Sequence, residues 1–280
     1  MWQKAKILKL WYRKKEGRFE YQDDLAGAIW TDRPEMSKEP VYTLDVKYAG
    51  KSREDKIQDV RDAMKEAGAN VHIISSMDDI VWLLNIRGND IIYNPVVMSY
   101  VMVTMEQVHF YVQEEAVSEQ VRAELEKAGV VLHDYFAIYE DVKALADDSK
   151  IMLEDACTNY TLVQKILPEN VEVIFQSNPA AIMKGCKNET EMENIRIAHI
   201  KDAKAMCRFI YWVSKNHVNS GEITEYSAAE KSLEFRKEDP DCLDLSFETI
   251  CAYEANAAMC HYAPTETEYA KVEPKGFFPD

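Results

Sequence analysis

Glycine and proline are scarce, with nine of each in 280 residues. That is too little for a collagen-like, linker-rich or low-complexity chain, and with 47% hydrophobic residues it indicates packed globular structure. Basic residues are in deficit, 33 against 49 acidic, for a formal charge of −16. Phosphate backbones are bound by Lys and Arg, so this balance argues against a nucleic-acid partner. It fits a solvated surface and would suit a basic partner. Six cysteines occur without a CxxC pair or paired Cys/His spacing, so neither a zinc site nor a disulfide framework is expected. Reduced thiols in a cytoplasmic protein are the simplest account. No apolar run approaches the roughly 20 residues of a membrane span. The basic start carries early aromatics and Glu16, which fits neither a secretory signal nor a transit peptide.

What is present reads as alternating strands and helices. After a basic and apolar N-terminal stretch, residues 30–40 form an irregular connector between Trp30 and Pro40. Ser52 with Asp55 predicts a capped helix carrying Ile57, Val60, Met64 and Ala67 on one face, ended by Gly68. Val71–Ile74 follows as a buried strand. Ser76 and Asp79 start a second helix with Ile80, Val81, Leu83 and Leu84 inward, closed by Gly88. The runs 96–104 and 108–112 around Met105-Glu106-Gln107 predict a hairpin. Further helices are expected at 118–127, from about Glu140 and at 159–166. Strands are expected from Val130, at 151–153 and at 171–175. This alternation predicts an α/β domain with a mixed sheet flanked by helices, over residues 40–177.

A turn-rich junction is expected at 178–188. Beyond it, Met192, Ile195, His199, Met206, Phe209 or Ile210, and Val213 recur at helical spacing over 190–215, with His199 as a packing residue. A second amphipathic helix is expected over 224–237. Phe247–Tyr253, Ala257–Tyr262 and a piece from Gly276 read as extended. Two helices followed by strands predict half of an α+β domain over 178–280, with an uncovered sheet face.

The stretch Asn256 to Thr265 brings small residues together with one imidazole and one phenol, His261 and Tyr262. An imidazole at such a rim is a candidate proton shuttle or hydrogen-bond donor. Taken alone, the ten residues favour a structural, partly buried histidine bonded to a backbone carbonyl. Arg87 and Asp90, charged residues beside Gly88, are candidates for an exposed groove or for a surface ion pair. His72, His109, His133 and His217 show no ligand spacing.

Four segments in order carry a family resemblance: Ile29-Trp30-Thr31-Asp32-Arg33-Pro34, the run from Ser75 to Asp90, Lys187 to Glu191 leading into Ala198-His199-Ile200-Lys201-Asp202, and Asn256 to Thr265. The chain resembles the long, three-domain Xaa-Pro aminopeptidases of the creatinase and methionine-aminopeptidase superfamily. The resemblance implies a first-domain tail and connector over residues 1–39, a creatinase-N-like α/β domain over 40–177, and the N-terminal half of a pita-bread catalytic domain over 178–280. It implies a cytoplasmic hydrolase that releases an N-terminal residue preceding proline, using two divalent ions, manganese in the usual case, held by two Asp, one His and two Glu. Paired hard cations lower the pKa of a shared water and polarise the scissile carbonyl. His261 then corresponds to the histidine that bonds the substrate and the tetrahedral intermediate, with Arg87, Asp90 and Tyr262 along the substrate groove.

The family's Asp-Ser-Gly and Gly-Thr-Thr-Asp motifs are absent, and no histidine follows His261. Asp280 stands about one residue out of step with the first ligand aspartate, after an atypical Pro279. No metal is therefore expected in this chain, and it is expected to be inactive by itself. Its expected partners are a homo-oligomer mate or the missing C-terminal half, with no nucleic acid and no membrane. A non-catalytic peptide- or protein-binding module is the alternative, and a metal-free amidinohydrolase like creatinase fits the motifs less well.

Overall fold

A computed structural model of the chain describes residues 24–166, 170–217 and 222–276. The expected N-terminal tail up to residue 23 and the positions of Phe277, Phe278 and Asp280 lie outside them. The chain divides into two compact units, one ending at Thr190 and one beginning at Glu191.

The first unit opens with short pieces: helix α1 (Leu25–Ile29), strand β1 (Tyr42–Thr43) and helix α2 (Val46–Ala49). Helix α3 (Arg53–Glu66) starts as its sequence predicts. The Ser52 hydroxyl accepts the Asp55 N–H, and Gly68 takes the left-handed backbone (φ 73°) just past the end. Strand β2 (Val71–Ile74) is buried throughout. Helix α4 (Met77–Leu83) is shorter than expected. Asn85, a residue that tolerates positive φ, turns the chain at φ 50°, and β3 (Ile86–Arg87) pairs with β1 before Gly88 is reached. Gly88 instead permits close packing, since a Cβ there would lie 2.7 Å from Val97.

The predicted hairpin is β4 (Ser99–Thr104) with β5 (Val108–Val112), starting later than the sequence pattern suggested. Helix α5 (Glu119–Lys127) and β6 (Val130–Asp134) follow, then a single turn, α6 (Ile138–Asp141), between 3-10 turns. Strand β7 (Lys150–Leu153), helix α7 (Tyr160–Ile166) and β8 (Glu172–Phe175) complete the layer pattern.

Apart from the β1–β3 pair, the strands form one six-stranded sheet in the order β6-β5-β4-β2-β7-β8. β4 is antiparallel to both neighbours, whereas β5–β6, β2–β7 and β7–β8 are parallel. The period-two alternation sends side chains to both faces, and both are apolar. One packs Val60, Met64, Leu83, Leu84, Phe110 and Leu125 together, the other Ile73, Tyr111, Ile138, Ile151 and Leu153.

The expected junction is not a turn. Helix α8 (Pro179–Gly185) lies there, with Asn178 as its cap and Pro179 at its first position. Asn178 is buried: its carbonyl oxygen accepts the Ala180 N–H and faces His72 Nε2 at 3.0 Å, and its amide donates to Asp79 at 2.9 Å. His72 Nδ1 lies 2.9 Å from the Met152 carbonyl, and Lys184 pairs with Asp79 at 2.9 Å.

The second unit holds most of helix α9 (Glu189–Trp212), which ends in a π-helical turn at 213–217, and helix α10 (Glu225–Lys237). On α9 only Ala205 and Phe209 are buried, whereas Met192, Ile195 and Ile210 are exposed. Phe209, Ile223, Ala228, Cys251, Tyr253 and Val272 form a small core. Neither Phe247–Tyr253 nor Ala257–Tyr262 is a strand: the first starts in a bend and has no ladder, and residues 254–258 form a 3-10 turn. A strand needs a neighbour for its backbone groups. Among the described residues of this unit, the single bridge Thr224–Lys271 is the nearest approach to one.

Candidate functional site

The loop carrying His261 is built on the start of α10. Thr224 and Ser227 cap that helix reciprocally, each side chain accepting the other's backbone N–H. The capping leaves Glu225 at the first helical position, where the helix dipole favours a carboxylate. Its side chain is fully buried. Four groups donate to that carboxylate: the backbone N–H of Tyr253 (2.5 Å), the backbone N–H of Ala270 (2.5 Å), Asn256 Nδ2 (3.0 and 3.1 Å) and the Tyr262 hydroxyl (2.6 Å). Asn256 Nδ2 also donates to Tyr262 Oη at 3.1 Å. Burial pushes the Glu225 carboxyl up, but the donated hydrogen bonds outweigh it and hold its pKa below the ordinary value. Burial, then the facing carboxylate, push the Tyr262 phenol up to about 12.

Glu225 thus gathers both ends of the loop. The Glu225 N–H donates to the Ala270 carbonyl, Val272 N–H to Ile223, and the Tyr253 hydroxyl to the Lys275 carbonyl at 2.7 Å. Between the anchors, Asn256 and Tyr262, the chain projects His261. This residue is exposed and sits at φ 59°, a conformation that non-glycine residues hold only where their surroundings impose it. The arrangement presents one imidazole on a tethered loop, able to donate or accept a hydrogen bond. Tyr262, expected along a groove, instead turns inward as an anchor.

Arg87 and Asp90 lie in the first unit and are half-buried, not exposed as expected. Arg87 Nη1 donates to the carbonyls of Val81 (3.0 Å) and Ile86 (2.7 Å). Asp90 accepts the Met98 N–H at 2.6 Å, and its other oxygen is buried without a hydrogen-bond partner among the described residues. Both brace the turn after α4. His199, expected to pack, is exposed and lines an open groove of about 470 Å³ with Ile195, Asp202, Arg236, Phe247 and Ile250. Glu225, which organises the loop, went unremarked in the sequence: an acidic residue early in a helix usually faces solvent.

The profile of the creatinase/prolidase N-terminal domain matches residues 32–191, more than half of the chain. The chain belongs to the creatinase/prolidase N-terminal domain family. Directly after that domain, residues 193–277 match metallopeptidase family M24. Among curated relatives, Xaa-Pro aminopeptidase 1 of Dictyostelium discoideum is 34% identical over 242 residues, covering 85% of this chain and 38% of that protein. A probable Xaa-Pro aminopeptidase P of Sordaria macrospora is 33% identical, covering 91% and 43%. The chain therefore spans about two-fifths of the length of these relatives.

The crystal structure of a Caenorhabditis elegans X-prolyl aminopeptidase, described as a cytosolic enzyme with a di-nuclear active site, superposes with a TM-score of 0.87 at 30% identity. It covers 96% of this chain and 45% of that one. A Bacillus anthracis Xaa-Pro dipeptidase, at 18% identity and a TM-score of 0.56, shares the fold. The creatinase N-terminal domain with its mixed sheet, followed by an M24 region, is the architecture expected from the sequence. The dinuclear centre finds no counterpart among the described residues, where no group of three or more His, Cys, Asp or Glu side chains is placed to hold a metal ion.

Proposed function

We propose that this chain forms part of an Xaa-Pro aminopeptidase of the cytosol and contributes the substrate-contacting histidine, His261. The observation that carries this reading is the loop anchored on Glu225, which holds an exposed imidazole in a constrained backbone. In that role His261 donates a hydrogen bond to the carbonyl oxygen of the bond preceding proline, where negative charge develops in the tetrahedral intermediate. Two metal ions, manganese by resemblance, would supply the attacking water in the complete enzyme. The described residues do not form such a ligand set, so no step is assigned to metal, and our reading is that the chain needs a further segment for turnover. The test is a pair of measurements on the purified chain with an Xaa-Pro peptide and manganese. We expect no turnover, and peptide binding that weakens in His261→Ala. Turnover lost in His261→Ala would overturn the inactivity, and binding indifferent to His261→Ala would overturn the role of the loop.

A second reading, a non-catalytic assembly module, is supported by the apolar surface of the second unit. Leu243, Phe247 and Ile200 are 81%, 64% and 70% exposed there. Exposed apolar groups of this size mark interaction sites. Light scattering that finds a monomer at micromolar concentration, with no peptide binding, would remove the module reading.

A further inference from the structure

His109 and His133 take no part in the function above. Parallel pairing of β5 with β6 sets His109 beside Val131 and Tyr111 beside His133, so His109, Tyr111 and His133 share one face of the sheet. His109 Nδ1 and His133 Nε2 point at each other across 2.9 Å. The other nitrogen of His133 faces an Asp141 oxygen at 3.8 Å, and that oxygen accepts the Tyr111 hydroxyl at 2.9 Å. Tyr111 stacks on His133 with centroids 5.0 Å apart. His133 and Asp141 keep 26% and 38% of their side-chain surface in solvent, so an ion can enter.

We propose that this pair binds one divalent transition-metal ion, Cu²⁺ ahead of Zn²⁺, with His109 Nδ1 and His133 Nε2 as its two protein ligands and water completing the coordination. Two imidazole nitrogens suit borderline ions, and the order of affinities favours copper. Bonds of about 2.0–2.1 Å at a tetrahedral angle separate two nitrogens by roughly 3.3 Å. The observed gap has to open by about 0.4 Å and each ring has to tilt by about 35° to aim its lone pair at the ion, a rotation of the two side chains. Asp141, held by Tyr111, stands 3.8 Å from the outer nitrogen of His133, where its negative charge favours a cation bound to the opposite side of the ring.

The proton count also closes. With the His133 proton on Nδ1 toward Asp141, His109 holds the proton shared between the rings on its Nδ1. On binding, that proton moves to Nε2 of the same ring through solvent, and none is released. With two protein ligands, the site is far weaker than a four-ligand structural zinc centre.

The test is titration of the whole chain with CuCl₂ after its exposed free thiols, which would otherwise bind and reduce Cu²⁺, have been alkylated with iodoacetamide. Electron paramagnetic resonance should show one equivalent bound first, with coupling to two nitrogens. His109→Gln and His133→Gln should each weaken that equivalent at least tenfold. Asp141→Asn should weaken it roughly tenfold, and His199→Gln should leave it unchanged. Circular dichroism checks that the variants fold. On the unaltered chain, the C2 protons of His109 and His133 should be the first histidine signals that Cu²⁺ broadens. Affinity unchanged in a folded His109→Gln/His133→Gln double variant would overturn the proposal, as would first broadening of other histidines.

Discussion

The two units solve the problem of holding a chain together by different means. The first spreads its apolar residues over both faces of a sheet, and the strands β2, β4 and β5 are nearly sealed from water. The second has one small cluster around Phe209 and leaves Leu243, Phe247, Ile200 and Ile210 mostly exposed. Its order rests instead on a buried carboxylate that collects backbone and side-chain donors from residues far along the chain. Apolar burial is non-directional and tolerates small shifts, whereas a hydrogen-bonded hub fixes positions but fails as a unit. A loop that has to hold an imidazole in a constrained conformation gains more from the second.

The comparison breaks first where the cores differ. Phe110→Ala should cost the first unit about 3–5 kcal/mol, because its surroundings are packed and cannot collapse into the gap. Phe209→Ala should cost clearly less, since its small cluster can relax. Urea unfolding followed by limited proteolysis of each unit reads both. In the unaltered monomer, residues beyond Thr190 should be cut first. Equal protection of the two units would show that the second is as well packed as the first.

The hub comes next. Glu225→Gln removes the charge that four donors address and should destabilise the second unit by about 2–3 kcal/mol, leaving the first unit's transition in place. Acid should separate the units in the same way. Burial holds His72 below its ordinary 6.5, so the unfolded chain takes that proton first. Its contribution is intact above pH 6.5 and is lost as pH falls toward its folded value. Glu225 is held below its ordinary 4.5, so its contribution persists above that pH and is lost as pH falls through the lower folded value. Amide exchange against pH should therefore show β2 and α8 loosening before the His261 loop.

The smallest expected effect falls equally on both units: Ser52→Ala and Thr224→Ala each remove a helix cap and should cost about 1 kcal/mol.

Much of the first unit could be read in advance because its signals are local. Ser52 and Ser118 announce helices, Met105-Glu106-Gln107 announces a hairpin, and apolar runs of strand length announce a buried sheet. The errors share a cause, which is dependence on residues distant in sequence. Asn178-Pro179 reads as the start of a turn-rich junction, although a cap residue followed by proline also opens helices, and the buried His72 and Asp79 hold Asn178 in that role. Phe247–Tyr253 reads as extended, but no adjacent strand is present among the described residues to pair with it. Arg87 and Asp90 look exposed beside a glycine, yet carbonyls and an amide from the neighbouring turns enclose them. His261 was legible as a candidate. Glu225 was not, because burial of a carboxylate depends on donors up to 45 residues away. His109 and His133 likewise meet only through strand register.

The clamp at Asn178 decides where the chain can be divided. A fragment ending at residue 177, where the first domain was expected to stop, would lose the partner of His72 and of the buried Asp79 amide contact. It would also lose Lys184, the cation that Asp79 pairs with. Each orphaned polar group inside a core costs about 1–3 kcal/mol. The module that can be moved, fused or expressed as one piece therefore includes α8, and its natural seam lies beyond Gly185.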